Sequence, residues 1–216
     1  MADNITDFSV ENQEKLKKLM AHYRCAIMEI ETKFRVLDEE FSLRHDRNPI
    51  SSVSTRLKSH ESLVEKMKRK GLAITAENIE NNINDVAGVR VVCPFTDDVY
   101  VLAKALTRQN DIDVIRIKDY IENPKENGYR SLHIIVAIPI FLAEETKKMR
   151  VEVQLRTIAM DFWASLEHQL RYKKEIQSEE ISGELKSCAE ISANLDRRMN
   201  SLRNECFPVG KMIEKS

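Results

Sequence analysis

The sequence lacks the patterns that define several large classes of protein. Its four cysteines, Cys25, Cys93, Cys188 and Cys206, are scattered and form no C-x-x-C pair, so we expect structural thiols in a reduced cytoplasmic protein and no zinc site. No segment approaches the length of a membrane-spanning helix, and the first residues contain no apolar core of the signal-peptide type. The formal net charge is only -1, so the chain as a whole does not attract nucleic acid, and any anion site must be a local cluster of cations.

The apolar pattern predicts one domain of the α/β or α+β class, in which at least four strands are interleaved with helices. At 216 residues, the chain is long enough for one substantial core. Apolar residues at steps of three and four predict a long helix over 11–44 and a second helix over 49–69. Strands are predicted over 86–95, 112–120, 134–138 and 149–157, and further helices over 74–82 and 96–109, capped by Thr75 and Thr96, and over 159–174 and 179–205.

The predicted second helix carries a group of cations on one side. Lys58, Ser62, Lys66 and Arg69 are spaced by four, four and three residues, which places them within an arc of roughly 80° on a helical wheel. Three cations on one face repel one another unless an anion lies across them, and a triphosphate has a suitable size and charge. A solvated, lysine-rich face is the simpler alternative. The sequence contains no Walker motif, so this is not a phosphate loop of that kind.

Arg90 lies in the middle of the predicted strand at 86–95. A guanidinium inside an apolar strand needs a partner, because an unpaired buried charge is very costly. The partner is either an internal carboxylate or a ligand, since planar arginine both binds phosphates and stacks on purines. Asp85 stands at the start of the same strand, where its carboxylate could face a cleft.

The predicted strand at 149–157 alternates between polar and apolar residues. Glu152, Gln154 and Arg156 share one face, and the valines and leucine between them share the other. The polar face either meets water, as antiparallel sheets often allow, or belongs to a site. In the second interpretation, Glu152 and Asp85 hold Mg²⁺, which usually takes one or two carboxylates together with the phosphates of a substrate.

The segment KENGYRSLHIIV, residues 125–136, brings Tyr129 and His133 to the mouth of a strand. Asn127–Gly128 is predicted to form the turn, and the strand is predicted to end at Pro139. Loop residues on the rim of a sheet often carry function, although an ordinary hairpin with an incidental tyrosine is the alternative. Just upstream, RIKDY places further cations at a strand end, where they are candidate anion contacts.

Four segments together resemble the synthetase domain of RelA/SpoT-type enzymes in their order and spacing. They are TRLKSHESLVEKMKRKG, DVAGVRVVCPF, RIKDYIENPKENGYRSLH and VEVQLRTIAMDFWASLEH. The length of the chain is similar to that of the stand-alone small alarmone synthetases, above all their RelP-like branch. The resemblance implies a nucleotidyltransferase-like fold with a mixed sheet of about five strands. It also implies a catalytic core at 45–175, an N-terminal helical flank at 1–44, and a C-terminal flank and tail at 176–216.

The resemblance also implies a reaction. The family transfers the β,γ-pyrophosphate of ATP to the 3′-hydroxyl of GDP or GTP, with Mg²⁺ as cofactor, and releases ppGpp or pppGpp and AMP. Its small members assemble as homotetramers through their helical flanks. Because the chain begins with a helix and lacks paired His–Asp signatures, we expect no hydrolase domain before the core, and we expect no ribosome-sensing region after it. Such a protein would make alarmone without degrading it.

The resemblance assigns roles on the donor side of the reaction. Arg56 and Arg90 would lie on the two faces of the adenine. Asp85 and Glu152 would bind Mg²⁺, and Glu152 would also accept the proton of the 3′-hydroxyl. The side chains that would hold the ATP phosphates are Lys58, Ser62, Lys66 and Arg69.

On the acceptor side, the resemblance assigns Tyr129 to stack on the guanine. Asp161 stands where some members have an asparagine near the guanine, so the order of preference among GMP, GDP and GTP stays open. The other positions around the acceptor nucleotide and its phosphates are Lys118, Lys125, His133, Gln154 and Arg156.

Two other functions fit parts of this pattern. A non-catalytic nucleotide- or RNA-binding module would use the same basic helix and Tyr129, but it would not need Asp85 together with Glu152. A toxic relative that pyrophosphorylates tRNA ends or adenine nucleotides would need both carboxylates. The segment NGYRSLH favours the guanine-using branch over that relative.

Overall fold

The computed structural model describes residues 10–44, 48–173 and 179–206, in which six helices surround one five-stranded sheet. This arrangement confirms the predicted fold class. The helices are α1 (Val10–Arg44), α2 (His60–Arg69), α3 (Ala76–Asn82), α4 (Thr96–Thr107), α5 (Ile158–Lys173) and α6 (Glu179–Cys206). The strands are β1 (Ser52–Leu57), β2 (Ala87–Cys93), β3 (Asp113–Asp119), β4 (Leu132–Phe141) and β5 (Thr146–Thr157). None of the described helices is both long enough and apolar enough to cross a membrane.

The sheet is mixed, with the strand order β1–β2–β5–β4–β3. β2 and β5 run parallel, and the other neighbouring pairs are antiparallel. α1 packs along one face of the sheet and buries Tyr23, Ile30 and Phe34 almost completely. Val151 and Val153 of β5 belong to the same core. Because side chains alternate along a strand, the polar residues of β5 face away from α1, which confirms the predicted alternation.

The region predicted as one helix over 49–69 is instead a strand followed by a helix. Residues 52–57 pair with β2 as the edge strand β1, and α2 begins only at His60. Ser59 caps α2, since its hydroxyl accepts a hydrogen bond from a backbone N–H of the first turn. Alternating serine, valine and threonine residues suit an edge strand, and pairing with β2 outweighs the helical spacing. Lys58 therefore precedes α2, and the prediction that it shares a helical face with the other phosphate-holding residues is wrong.

Two smaller boundary predictions are also wrong, each for a local reason. β4 does not end at Pro139 but continues to Phe141 in register with β5. The first residue of β3, Asp113, pairs with Ala137, so β3 does not reach Pro139. At Pro139, β4 pairs only with β5, and the missing N–H of proline is tolerated there. The N-cap of α4 is Phe95 rather than Thr96, without a side-chain hydrogen bond. The predicted cap of α3 by Thr75 is confirmed.

The last two helices form a layer beside the sheet. α5 follows β5 directly, and α6 packs against α5. Trp163 of α5 is buried beneath α6, and Phe162 beside it is exposed. The predicted limits of the catalytic core at residues 45 and 175 fall in the segments 45–47 and 174–178, which lie outside the described residues. The division into flanks and core therefore stays a prediction.

Candidate active site

A cleft of about 600 Å³ opens on the face of the sheet opposite α1. It lies between α2 and the loop that joins β3 to β4. Of the fifteen residues predicted from the sequence, nine line this cleft: Arg56, Lys66, Asp85, Lys118, Lys125, Tyr129, His133, Glu152 and Gln154. The remaining six are not among its lining residues: Lys58, Ser62, Arg69, Arg90, Arg156 and Asp161.

The strand register brings residues from distant parts of the sequence into one row across the sheet. Glu152 of β5 lies between Gly88 on β2 and Ile135 on β4. Continuing outward in the same row, Arg56 of β1 lies opposite Gly88, and Arg116 of β3 lies opposite Ile135. With strands about 4.8 Å apart, Glu152 has an arginine backbone roughly 10 Å away on each side. The carboxylate thus stands at the middle of a row with a cation at both ends.

Glu152 is held by two neighbours on the cleft floor. His133 Nδ1 lies 3.2 Å from Glu152 Oε1, and Gln154 Nε2 donates a hydrogen bond of 2.8 Å to Oε2. Burial alone would raise the pKa of Glu152, and the nearby charge of Asp85 also raises it. The hydrogen bonds from His133 and Gln154 outweigh both, so the pKa of Glu152 lies below its ordinary value. Glu152 is therefore ionised at neutral pH.

Tyr129 forms one end of a chain of polar contacts that starts at Glu152. His133 Nε2 lies 2.8 Å from the hydroxyl of Tyr129, which also accepts a hydrogen bond of 2.6 Å from Arg156. The ammonium of Lys125 lies 4.6 Å from the centre of the Tyr129 ring. Tyr120 packs edge-on against both Tyr129 and His133, with ring centres 6.0 Å and 5.3 Å apart. The ring is thus fixed by contacts on several sides.

Arg156 and Asp161 lie behind this wall and hold it together. The guanidinium of Arg156 is buried and also donates to Gln154 Oε1 at 3.0 Å and to Asp161 Oδ1 at 3.1 Å. The same Asp161 oxygen also lies 3.2 Å from Arg90 Nη1. Asp161 is therefore an internal carboxylate of the kind predicted as one possible partner for Arg90. Arg90 Nε is nevertheless buried without a hydrogen-bond partner among the described residues. Arg90 therefore has one buried donor that the described residues do not satisfy.

Asp85 is neutralised by two lysines on the other side of the cleft. Lys58 Nζ lies 3.0 Å from one carboxylate oxygen, and Lys66 Nζ lies 2.7 Å from the other. Burial would raise the pKa of Asp85, but the hydrogen bonds and charges of the two lysines outweigh it, so this pKa lies below its ordinary value. Ser62 and Arg69 of α2 are exposed and do not reach this group.

Several residues that line the cleft were not among the site residues predicted from the sequence. Arg116 belongs to the RIKDY segment, in which only Lys118 was predicted as a site residue. Glu167 of α5 accepts a hydrogen bond of 3.1 Å from Asn127 in the predicted turn, and no spacing in the sequence pointed to that contact. The complete set of additional lining residues is Lys70, Asn82, Asn84, Arg116, Tyr120, Asn127, Ile135 and Glu167.

These features together define the class of site. Cations surround the cleft, two ionised carboxylates stand within it, and an aromatic ring is fixed at one edge. Cations bind phosphates, and an aromatic face binds a purine by stacking. The described part of the chain contains no group of three side chains that could hold a metal by themselves. The arrangement is that of a protein that binds nucleotides with the help of their phosphates.

Comparison with known proteins identifies the family within this class. Residues 55–177, more than half of the chain, match the family model described as a region found in RelA / SpoT proteins. The chain belongs to the RelA/SpoT family. It is 41% identical over 207 residues to GTP pyrophosphokinase YwaC of Bacillus subtilis (strain 168), which covers 92% of this chain and 99% of that protein.

Two solved structures of a small alarmone synthetase share the fold. Small alarmone synthetase 1 from Bacillus subtilis, bound to its product pppGpp, superimposes with a TM-score of 0.82 at 34% identity. The alignment covers 89% of this chain and 98% of that one. The same synthetase bound to AMPCPP superimposes with a TM-score of 0.75 at 31% identity and the same coverage. The chain is therefore similar to these proteins along almost its whole length.

Proposed function

We infer that the protein is a GTP pyrophosphokinase, which transfers the β,γ-pyrophosphate of ATP to the 3′-hydroxyl of GDP or GTP and releases AMP. The observation that carries this inference is that both carboxylates, Asp85 and Glu152, lie in one cleft with Tyr129. A protein that only bound nucleotides would need the ring and the cations but not two carboxylates between them. The activity named for the similar Bacillus protein agrees with this function.

The donor nucleotide occupies the side of the cleft formed by β1 and α2. Arg56 stands exposed at the end of the row that contains Glu152, where its planar guanidinium can stack on an adenine. Arg90 lies in the neighbouring row, and its partly exposed guanidinium is the second candidate to contact the adenine. The triphosphate is held by the cations and the hydroxyl around the start and end of α2, namely Lys58, Ser62, Lys66 and Arg69.

The acceptor nucleotide occupies the opposite side, with its guanine on the ring of Tyr129. Lys125 now covers that ring, so it must move aside or bind the acceptor phosphates when the nucleotide enters. Lys118 lies beside His133 in the sheet, which places another cation within reach of those phosphates. Gln154, Arg156 and Asp161 support the site from below, since each is part of the hydrogen-bonded network under the ring.

Mg²⁺ fits the residues that are present. Asp85 and Glu152 offer hard carboxylate oxygens. The charge of Asp85 acts to raise the pKa of Glu152, so the two carboxylates are close enough to contribute to one site. Mg²⁺ commonly uses one or two carboxylates and completes its shell with phosphates and water, which agrees with the lack of a third ligand among the described residues. When bound, the ion neutralises charge on the transferred phosphates.

The protein's own residues position the reaction. Lys58 and Lys66 already bind a carboxylate, Asp85, and the same ammonium groups can bind a triphosphate when it arrives. Glu152 is ionised and can accept the proton of the 3′-hydroxyl, while His133 and Gln154 hold its two oxygens. A carboxylate with a lowered pKa is a weak base, so in-line placement of the hydroxyl contributes more to the rate than proton removal.

We also propose that the protein is a homotetramer in the cytoplasm. All four cysteines are free thiols, as expected for a reducing compartment. Two helices expose apolar side chains at helical spacing, which a second copy of the chain could cover. On α5 they are Ile158, Phe162, Leu166 and Leu170, and on α6 they are Ile191, Leu195, Met199 and Leu202. Sedimentation of the purified protein tests this, and a monomer at micromolar concentration would contradict it.

The test of the activity uses purified protein, Mg²⁺ and ATP labelled at its terminal phosphate. Each of GMP, GDP, GTP, ATP and tRNA is offered separately as acceptor, and the products are separated and identified. We expect label on guanine nucleotides and an equal amount of AMP. Label on tRNA or on adenine nucleotides alone would contradict the proposal and favour the toxic relative. Absence of transfer with every acceptor would favour a binding module.

A further inference from the structure

The turn that presents Tyr129 lies directly against α6. Gly128 has a φ of 88°, and a Cβ placed on it would lie only 2.5 Å from the Cβ of Ala189. Real Cβ atoms do not approach one another so closely, and the backbone of Lys186 bounds the same space at 3.7 Å. Glycine is therefore required at this position for two reasons, its positive φ and its contact with Ala189.

The inner side of the same turn packs against α5 and α6. Trp163, Ala164 and Ala189 form a small buried cluster, against which Tyr129 and Leu185 pack. The indole N–H of Trp163 donates a hydrogen bond of 2.9 Å to the carbonyl of Leu185, which joins α5 to α6 at this point. The stacking ring is thus supported by a cluster to which α6 contributes.

Further hydrogen bonds along α6 fix the position of this helix along its axis, and with it the position of Ala189 against the turn. Ser192 Oγ donates a hydrogen bond of 3.0 Å to the carbonyl of Ala159 at the start of α5. One turn later, the buried carboxylate of Asp196 accepts a hydrogen bond of 2.5 Å from Thr157 Oγ1 at the end of β5. These bonds hold α6 in register with β5, the strand that carries Glu152.

We propose that Ala189 is a positioning residue for the acceptor site, because it fixes the Gly128 turn and, through it, the ring of Tyr129. The inference rests on the proposed function for the identity of the acceptor. It goes further by making acceptor binding depend on a helix outside the segment that matches the family model. Ala189 itself contacts the Gly128 turn and the cluster beneath Tyr129, both on the acceptor side of the cleft, so ATP binding should not depend on it.

The test first introduces a steric clash between residues 128 and 189 and then removes it with a second substitution. Gly128→Ala places a methyl group where Ala189 stands, so we expect GDP to bind about tenfold more weakly or worse. The dissociation constant for ATP should stay within about twofold of the wild-type value. Ala189→Gly in the same chain removes the opposing atom, and the double variant should recover much of the lost GDP affinity. Gly71→Ala is the matched control, since Gly71 has a φ of 66° and no atom within 4 Å of an added Cβ.

The readout does not depend on turnover. Trp163 is the one tryptophan in the sequence and belongs to the cluster under Tyr129, so its fluorescence during a GDP titration gives a dissociation constant directly. Thermal unfolding shows which variants fold. If Gly128→Ala does not fold, Ala189→Leu presses on the turn from the helix side and should give the same selective loss of GDP binding. Gly183→Ala on the same helix, where an added Cβ meets nothing within 4 Å, controls for changes to α6 itself.

Either of two results with the variants would overturn the inference. A double variant that binds GDP as weakly as Gly128→Ala would show that backbone strain at Gly128, and not Ala189, causes the loss. Equal weakening of GDP and ATP by Ala189→Leu would show that the helix acts on the whole fold. Wild-type protein that binds GDP but transfers no pyrophosphate would contradict the proposed function while leaving the positioning test intact. Wild-type protein that does not bind GDP would contradict both.

Discussion

The donor side and the acceptor side of the cleft differ in how far their side chains are fixed before a nucleotide binds. On the donor side, Arg56, Ser62 and Arg69 are exposed. Lys66 is only partly buried, and it shares the carboxylate of Asp85 with a second lysine. These side chains can adjust to a flexible triphosphate, because they bind it mainly through charge.

The acceptor side is supported by a second layer of structure. The hydroxyl of Tyr129 contacts both His133 and the buried Arg156. The turn beside the ring is held by Glu167 of α5 and by Ala189 of α6. This side must place one particular hydroxyl in line with a phosphorus atom, where small displacements cost rate. We therefore propose that the protein binds the donor mainly by charge and the acceptor by rigid geometry.

The largest effect should come from the carboxylate between the two sides. Glu152→Gln removes the proposed proton acceptor and one of the two proposed Mg²⁺ ligands but keeps the size of the side chain. We expect kcat to fall by about 10²–10⁴-fold, as for the loss of other acid–base groups. Initial rates over a matrix of ATP and GDP concentrations separate kcat from the two KM values.

Glu144→Gln is the matched control, because Glu144 is an exposed carboxylate between β4 and β5, at the opposite end of β4 from the cleft. It should leave all three parameters unchanged. A Glu152→Gln enzyme with the turnover of the wild type would remove Glu152 from the chemistry altogether.

The second effect tests the rigid side. Tyr129→Ala removes the stacking surface, and stacking on an aromatic ring is worth about 1–3 kcal/mol, so the KM for GDP should rise roughly 5- to 150-fold. Tyr129→Phe keeps the ring and loses only the contacts to His133 and Arg156, so its effect should be smaller. In both variants the KM for ATP should stay close to that of the wild type. An unchanged KM for GDP in Tyr129→Ala would mean that the ring only packs.

A smaller effect is expected on the donor side, where several cations would contact the triphosphate and each contributes only part of the binding. Lys66→Ala should raise the KM for ATP about tenfold, since it removes one charge-assisted contact to phosphate. Arg69→Ala, at an exposed position, should raise it only about twofold. Both should leave the KM for GDP unchanged in the same kinetic matrix. If Arg69→Ala cost more than Lys66→Ala, the donor would depend on α2 in a way that contradicts this comparison.

The smallest effect concerns stability and its dependence on pH. Burial raises the pKa of Asp196 above its ordinary value of about 4, so the folded protein binds a proton there more readily than the unfolded chain does. This contribution stabilises the fold at low pH and is lost as the pH rises through the folded-state pKa. Asp196→Asn keeps an oxygen that can accept from Thr157 and cannot ionise.

We therefore expect the melting temperature of Asp196→Asn, relative to that of the wild type, to increase between about pH 4 and about pH 8. Asp196→Ala removes the same titration and also leaves Thr157 without its buried partner, so it should follow the same pH trend but lie about 1–3 kcal/mol below Asp196→Asn in stability. Differential scanning calorimetry of the three proteins measures both differences. A constant difference for Asp196→Asn across the pH range would show that folding does not raise the pKa of Asp196.

The match between sequence and structure differs from one element to another. The alternation of β5 is confirmed because Val151 and Val153 must face α1, and that burial is visible in the sequence as a period of two. The region 49–69 is the counterexample. Its apolar residues fit a helical wheel, but β2 offers an edge for pairing, and that edge comes from residues thirty to forty positions away. Local spacing cannot report a partner so distant.

The candidate site shows the same division. Nine predicted residues converge on one cleft, because motifs that carry charged and aromatic residues at strand ends reflect the chemistry of the site itself. Glu167 and Ala189 were not predicted, since a glutamate and an alanine on amphipathic helices look like ordinary surface and core positions. Their importance arises only from what lies opposite them.

The sequence by itself determined the class of fold, the order of the motifs and the chemical groups available for catalysis, because each of these depends on residue type and short-range spacing. Only the tertiary structure decided that residue 58 precedes the helix, that Glu152 stands between arginines from two edge strands, and that the Tyr129 turn rests on α6. These features depend on strand register and on packing between distant segments. The free energy that selects them comes from contacts that form only once the chain has folded.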